Sequence, residues 1–414
     1  MVLEKSVYDV AKGEVSMKWR MKGHEFDREA EECVKTFCEN EERIYVFGAG
    51  LLGNEVSRVL QRIGCFTGYI DNDVHKQRTG VGGIPVISLG EYMRQGAIGW
   101  IVIAMDVKYV PQVDEQLAKR GLVKGTKYFI WEEFLRKTLR ILMTYHYHQS
   151  YVDLAQIVVT ERCSLRCQKC AHACAYVDSN AEDMPIETVC KSADAFFSKI
   201  DLIRKFVLIG GEPLLYKQLP KAVAYIGERY RDKVIRFCIT TNGTIMPNEE
   251  LMTACRKYRV EFQISNYSLT LPHLTEKYKK LTELLSANNV EFILGEKELD
   301  WWDYGFEDGD RRYNEIKLQE VFDLCKTPCR EVRGSRYYFC VMARSVSDNM
   351  GIGIGEEDYL DLDALPEDYR KVLLEFELGY SEKGYLDMCR HCNGMEAKRI
   401  RLPAAKQMMQ GERR

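Results

Sequence analysis

Cys163-Ser-Leu-Arg-Cys167-Gln-Lys-Cys170 is the stretch on which the reading of this chain turns. It follows residues 155–160, an apolar, β-rich run that reads as a buried strand. Two more short motifs sit at the ends of two more such runs. Gly210-Gly211-Glu212-Pro213 follows 206–209, and Thr241-Asn242-Gly243 closes 234–241. Further runs lie at 260–264 and 290–294, with helical patterns between them, for example at 186–200 and 274–287. Repeated β-α units of this length predict parallel strands with covering helices, closed into a full or partial barrel. In such barrels the loops after the strands carry the chemistry, and these motifs stand in those loops.

Three thiolates at CX3CX2C spacing admit two metal readings. A structural zinc site wants four ligands, and His172 or Cys174 is available as the fourth. A four-iron cluster held by three thiolates instead leaves one iron open to a small chelating ligand. Taken with the GGEP and TNG loops, the pattern resembles that of radical S-adenosylmethionine (SAM) enzymes, over residues ~155–295. The resemblance implies a [4Fe–4S] cluster on Cys163, Cys167 and Cys170 whose open iron chelates the amino and carboxylate groups of SAM. It implies that Gly210, Gly211, Glu212 and Pro213 bring backbone polar groups to that amino group. Thr241, Asn242 and Ser265 would serve the ribose and carboxylate. One electron from a flavodoxin- or ferredoxin-type donor then cleaves SAM, and the 5′-deoxyadenosyl radical abstracts a substrate hydrogen. Lys169 departs from the family, which often has an aromatic residue just before the third cysteine.

Five more cysteines crowd the C-terminal part: Cys325, Cys329, Cys340, Cys389 and Cys392. A CX2C turn plus ligands from an upstream hairpin is a metal-site arrangement. It resembles the twitch domain, a shortened SPASM domain of radical SAM enzymes, which implies one auxiliary [4Fe–4S] cluster. Cys340, Cys389 and Cys392 would be joined by Cys325 or Cys329. Sulfur spacing alone leaves a structural zinc site as the alternative.

In the N-terminal part, Gly48-x-Gly50-x-x-Gly53 follows a predicted strand at 43–47 and opens a helix at 54–63. Asp71 ends the next strand, 66–70, as a dinucleotide fingerprint asks. Further strands are expected at 100–104 and 127–130, with a helix at 110–120 between them. With Gly83-Ile-Pro-Val86 downstream, the segment resembles the Rossmann-like domains attached to sugar-modifying enzymes of surface-polysaccharide pathways. This implies a nucleotide-type ligand; the alternative is a docking domain whose glycines serve only helix–strand packing.

The expected architecture is α/β: an N-terminal Rossmann-like parallel sheet (1–145), a central partial (β/α)6 barrel (146–315) and a small C-terminal iron–sulfur domain (316–414). The chain has 414 residues, 46% hydrophobic, with 59 Lys and Arg against 62 Asp and Glu. A net charge of −3 calls for neither nucleic acid nor an anionic membrane. No signal peptide or apolar run of about 18 residues is present, so a cytoplasmic protein is expected. Fifteen cysteines then point to metal or redox work rather than disulfides. The basic stretch 398–414 reads as a solvated tail. The expected function is epimerisation or oxidation of a sugar or nucleotide sugar. A Cys or Tyr would return hydrogen in an epimerase, with Cys174, Cys190, Cys238 and Cys255 as thiol candidates. Trp301-Trp302-Asp303-Tyr304 is a possible sugar contact or a domain-interface plug. The alternatives are a peptide-modifying radical SAM enzyme and a zinc-stabilised nucleotide sensor.

Overall fold

The computed structural model describes residues 8–9, 14–15, 24–380 and 382–409. They fall into two compact units, one spanning 21–151 and the other 152–414 together with the residues before 21.

Unit 21–151 opens with helix α1 (His24–Glu39) and carries strands β1 (Ile44–Phe47), β2 (Phe66–Ile70), β3 (Val86–Ile87), β4 (Trp100–Ile103) and β5 (Tyr128–Ile130). Helices α2 (Leu51–Arg62), α3 (Val74–Thr79), α4 (Leu89–Arg94) and α5 (Val110–Ala118) connect successive strands. All neighbouring strands are parallel, in the order β3-β2-β1-β4-β5. The central strands β1 and β4 are buried at every position, which is why they read as unbroken apolar runs. After β5 the chain runs through Trp131–Glu133, a π turn at Phe134–Thr138 and the helix Leu139–Tyr145. Tyr145 donates to Asp27 at 2.5 Å and Lys137 pairs with Glu29 at 3.2 Å, tying this last helical stretch to α1.

Unit 152–414 is built on one eight-stranded sheet. Its strands are β6 (Tyr151–Thr160), β7 (Leu202–Gly210), β8 (Val234–Thr241), β9 (Val260–Asn266), β10 (Phe292–Lys297), β12 (Arg330–Arg333), β13 (Arg336–Tyr338) and β14 (Tyr359–Asp361). A short strand outside the sheet, β11 (Asp300–Trp302), pairs antiparallel with β15 (Arg401–Pro403). The sheet order is β10-β9-β8-β7-β6-β12-β13-β14. From β7 to β10 the pairs are parallel, and helices α6 (Ile186–Phe197), α7 (Leu219–Tyr230), α8 (Glu249–Tyr258) and α9 (Leu274–Ala287) make the crossovers. Phe196, Phe206, Phe237 and Phe262 lie fully inside this layer.

Two expectations meet a different arrangement. The boundary at 315/316 falls inside a compact unit, because β12 adds parallel to β6 (Arg330 beside Ala155) and β13 and β14 extend the same sheet. The stretch from 398 is not a solvated tail. Ala404 and Ala405 have no exposed surface, and Lys406 accepts the Gln168 N–H at 2.7 Å. Backbone hydrogen bonding to the cysteine loop holds down a segment whose composition alone reads as solvated. Residues 410–414 of that stretch lie outside the described residues.

Candidate functional site

Cys163, Cys167 and Cys170 stand in the loop after β6, where the strand hands its backbone to an irregular turn with Lys169 and Ala173 at positive φ. Hydrogen bonds to sulfur shape this loop. Leu165 N–H approaches Cys163 Sγ at 3.4 Å, Asn242 Nδ2 the same sulfur at 3.6 Å, and Gln407 Nε2 donates to Cys167 Sγ at 3.2 Å. Burial pushes the Cys163 and Cys167 thiols up to about 12. Cys170 moves the other way, to about 7, chiefly because the Cys174 thiol donates to it. Cys174 thus acts on a neighbouring cysteine of the loop, and its thiol also reaches the His172 carbonyl oxygen at 3.8 Å.

The sulfur spacing tests the metal. Three sulfurs on one tetrahedral zinc, each at about 2.3 Å, would sit about 3.8 Å apart. Among the described residues, the single group of three Cys, His, Asp or Glu side chains with ligand atoms all within 4.8 Å is Cys38, Glu42 and His146. The three loop cysteines do not form such a group, and a four-iron cluster would take each thiolate on a different iron.

Gly210 and Gly211 press against the cysteine loop. A Cβ on Gly211 would lie 2.3 Å from the Arg162 carbonyl oxygen, and one on Gly210 would lie 2.4 Å from that of Thr160. Their close approach lets Gly211 N–H bond Thr160 O and Glu212 N–H bond Arg162 O, both at 2.9 Å. Glu212 has no exposed surface and accepts from Leu214 N–H (3.0 Å), Thr241 Oγ1 (2.8 Å) and Asn242 N–H (2.8 Å). Burial pushes its carboxyl up to about 7 against these donors. It therefore clamps the β8 loop to the β7 loop. Pro213 is buried and starts the short turn Pro213–Leu215.

These loops and the ends of β7, β8 and β9 enclose a cavity of about 400 Å³. Gly210, Gly211, Thr241, Asn242 and Ser265 line it together with Cys170. So do Trp301, Trp302 and Tyr304 of the aromatic run, His172, which the sequence offers as a fourth zinc ligand, and Tyr267, which sequence reasoning did not single out. Tyr267 stacks edge-on against Trp301 at 5.6 Å. Lys169 pairs with Asp303 at 3.1 Å and with Glu307; burial opposes its charge, but the two carboxylates outweigh it and raise its pKa. None of Cys174, Cys190, Cys238 and Cys255 lines this cavity.

Of the five C-terminal cysteines, Cys340 opens helix α10 (Val341–Met350), while Cys389 lies in the turn Asp387–His391 and Cys392 follows it. Burial first, then Cys325, raises the thiol pKa of Cys340, Cys389 and Cys392, that of Cys392 to about 12. Cys325 thus lies within electrostatic reach of all three, and Cys329 packs against the same hydrophobic core that holds them. Tyr304 lines the cavity and also feels Cys325, Cys392, Cys340 and Cys329, which after burial raise its hydroxyl pKa. The turn bearing Cys389 is pinned by buried Asp358, which accepts from Asp387 N–H (2.7 Å) and Met388 N–H (3.0 Å).

In the other unit, Gly48 adopts φ +109° and Gly53 packs so closely that a Cβ there would meet the Gly48 oxygen at 1.8 Å. Both glycines are accounted for by helix–strand packing. Gly50, at the start of α2, has open space beside it. Asp71 is turned inward: it accepts from Ala49 N–H (2.8 Å), Asp73 N–H (2.9 Å) and Lys76 Nζ (2.8 Å). Burial works against its charge, but Lys76 and the two N–H groups outweigh it and hold the carboxyl below its usual range.

Residues 157–294 match the Radical SAM superfamily. A GTP 3′,8-cyclase of Syntrophomonas wolfei is 31% identical over 157 residues, 37% of this chain and 45% of that enzyme. An uncharacterised protein of Methanocaldococcus jannaschii is 31% identical over 123 residues, 29% of this chain and 41% of its own. The chain thus spans less than half the length of these two relatives. Among solved structures, BtrN in complex with AdoMet and 2-DOIA aligns over 62% of this chain and 97% of its own, with 13% identity and a TM-score of 0.36. Residues 157–294 thus constitute a radical SAM domain. Among the described residues no helix is long and apolar enough to cross a membrane.

Proposed function

We propose that this chain is a radical SAM enzyme that abstracts hydrogen from a sugar or nucleotide-sugar substrate, leading to epimerisation or alcohol oxidation. The observation that carries the reading is the cavity itself. Cys170 of the three-cysteine loop, the glycine pair, the strand-end polar groups and the aromatic residues Tyr267, Trp301, Trp302 and Tyr304 all line one half-open cavity. When bound, a reduced [4Fe–4S] cluster on Cys163, Cys167 and Cys170 supplies the electron that splits SAM into methionine and a 5′-deoxyadenosyl radical.

The chain's own part is positioning and exclusion of water. The Glu212 clamp fixes the β7 and β8 loops as one surface for SAM. Thr241, Asn242 and Ser265 offer hydroxyl and amide groups to its polar end. Trp301, Trp302 and Tyr304 offer flat apolar faces of the kind that pack on sugar rings, and Lys169 with Asp303 offers charged partners for hydroxyls. If the reaction is an epimerisation, Tyr267 and Tyr304 are the cavity groups with a phenolic O–H, weak enough to return a hydrogen atom. Cys325, Cys340, Cys389 and Cys392 would hold an auxiliary [4Fe–4S] cluster, which in an oxidation supplies an electron acceptor next to Tyr304. A nucleotide ligand fits the open side of Gly50 at the α2 N-terminus. Asp71 then acts by shaping the loop rather than on a ribose, since its oxygens already hold three donors.

Anaerobic turnover with SAM, a flavodoxin-type reductant and a panel of nucleotide sugars tests the reading. The expected result is 5′-deoxyadenosine above the substrate-free background. Deuterium entering the product from D2O marks an epimerase; net two-electron oxidation without uptake marks a dehydrogenase. Reconstitution that yields no absorbance near ~400 nm and no 5′-deoxyadenosine overturns it and favours the zinc-stabilised alternative.

A further inference from the structure

We propose that unit 21–151 holds a divalent transition-metal ion of the zinc class on Cys38, Glu42 and His146. Cys38 lies in the last turn of α1, Glu42 in the turn that follows it, and His146 just after the helix Leu139–Tyr145. Their ligand atoms all lie within 4.8 Å of one another. Glu42 presents one carboxylate oxygen to His146 Nε2 at 3.3 Å and the other to Cys38 Sγ at 3.8 Å. Tetrahedral zinc, with bonds of about 2.0–2.1 Å to nitrogen and oxygen and about 2.3 Å to sulfur, sets its ligands about 3.3 Å apart for N and O and about 3.6 Å for S and O. The two separations, one to each carboxylate oxygen, lie within a few tenths of an ångström of these values, and one ligand atom from each residue stays within 4.8 Å of the other two.

The donor types narrow the metal. A thiolate with an imidazole suits zinc and its neighbours, whereas magnesium and calcium take oxygen ligands. His146 is held in place by its backbone bond to Leu142 O (2.9 Å) and by ring contacts with Phe37 and Tyr147. The Glu42 N–H likewise bonds Phe37 O at 3.1 Å, so two ligands are set by the backbone before any metal arrives. Three protein ligands leave a fourth position for water or an incoming donor. The ion would clasp the first helix of the unit to its last, beside the Tyr145–Asp27 and Lys137–Glu29 links.

Cys38 is exposed, so its reactivity reads the site without disturbing the fold or the iron–sulfur cysteines. The cluster-loaded full chain is treated with a limiting alkylating agent, with and without buffered zinc, and the peptide containing Cys38 is quantified by mass spectrometry. At zinc tenfold above the dissociation constant, alkylation of Cys38 slows about tenfold, because only the metal-free fraction exposes a reactive thiolate. In His146→Ala, zinc gives little protection at the same concentration. Alkylation of Cys38 that is indifferent to zinc across the buffered range overturns the proposal. So does equal protection in a folded His146→Ala protein.

Discussion

The Glu161 carboxylate meets the guanidinium of Arg344, a fully buried side chain on the helix that follows Cys340. Arg344 also meets buried Glu331 and donates to Ser345 at 2.6 Å, while Asn349 bonds Glu161 at 3.1 Å and the His172 carbonyl at 2.8 Å. Glu161 and His172 bracket the three-cysteine loop. The loop is therefore braced by the very helix that carries a C-terminal cysteine at its start. Replacing Arg344 by Met removes the cation paired with buried Glu331, while Glu161 keeps Arg333 and Asn349. Chemical denaturation of the loaded protein should show a loss of about 3–5 kcal/mol, the usual cost of breaking one side of a buried ion pair. Glu161→Gln, which leaves the Arg344–Glu331 pair, should cost less.

Gly211→Ala places a methyl group 2.3 Å from a backbone oxygen of the cysteine loop, where no flexible side chain can give way. SAM cleavage should fall by at least tenfold, a displacement penalty of about 1.4 kcal/mol or more, and reconstituted iron should drop from about eight toward about four atoms per chain. Gly50→Ala, with open space around it, should leave iron content and SAM cleavage unchanged.

Cys325 and Cys329 should separate cleanly by iron analysis. The wild-type chain is expected to hold about eight irons, and Cys325→Ser about four, because only the auxiliary cluster loses a ligand. Cys329→Ser should stay near the wild-type value. Equal losses in both would mean that the upstream ligand is shared or misassigned.

Glu212 makes stability depend on pH in a defined direction. Its folded carboxyl is raised to about 7 from an ordinary 4.5 by burial. The folded state thus binds the proton more tightly than the unfolded one. Stability linked to this group is fully present below about pH 4.5 and is lost as pH rises through about 7. Glu212→Gln should be less stable at every pH, since an amide cannot accept from all three donors. Its denaturation profile should also be flatter across that window.

Gln407 donates to Cys167 Sγ, and hydrogen bonds to cluster sulfurs raise reduction potential by favouring the more negative reduced state. Gln407→Leu should therefore lower the potential of the SAM-binding cluster by roughly tens of millivolts in a redox titration followed by electron paramagnetic resonance. An unchanged potential would leave the bond a purely structural one.

The parallel strands and their loops were legible because each is a local pattern. Val234–Thr241 and Leu274–Ala287 match the expected bounds, and Phe66–Ile70 does as well. β3 is not legible in the sequence because two residues carry no periodicity, and α1 carries no motif that sets it apart. The glycines of the GGEP loop were visible, but their closest contacts were not. They are spent on packing against Thr160 and Arg162, which only the fold brings near. Tyr267 and Gln407 escaped notice for the same reason. A tyrosine at a strand end and a glutamine near a basic stretch carry no motif; what marks them is distance in space, not spacing in sequence.

The bond from Gln407 to Cys167 also has a consequence in time. The two residues are 240 positions apart, and Cys167 is made first. At about 5–20 residues per second, a ribosome needs roughly 12–50 s to reach the partner. Throughout that interval the three-cysteine loop exists without the segment that closes over it. Delivery of iron and sulfide to a nascent chain would meet an open loop; delivery to a finished one must first lift the strap at residues 404–408. Which of these a cell uses is thereby a question of kinetics, set by how far apart the fold places a sulfur and its last hydrogen-bond donor.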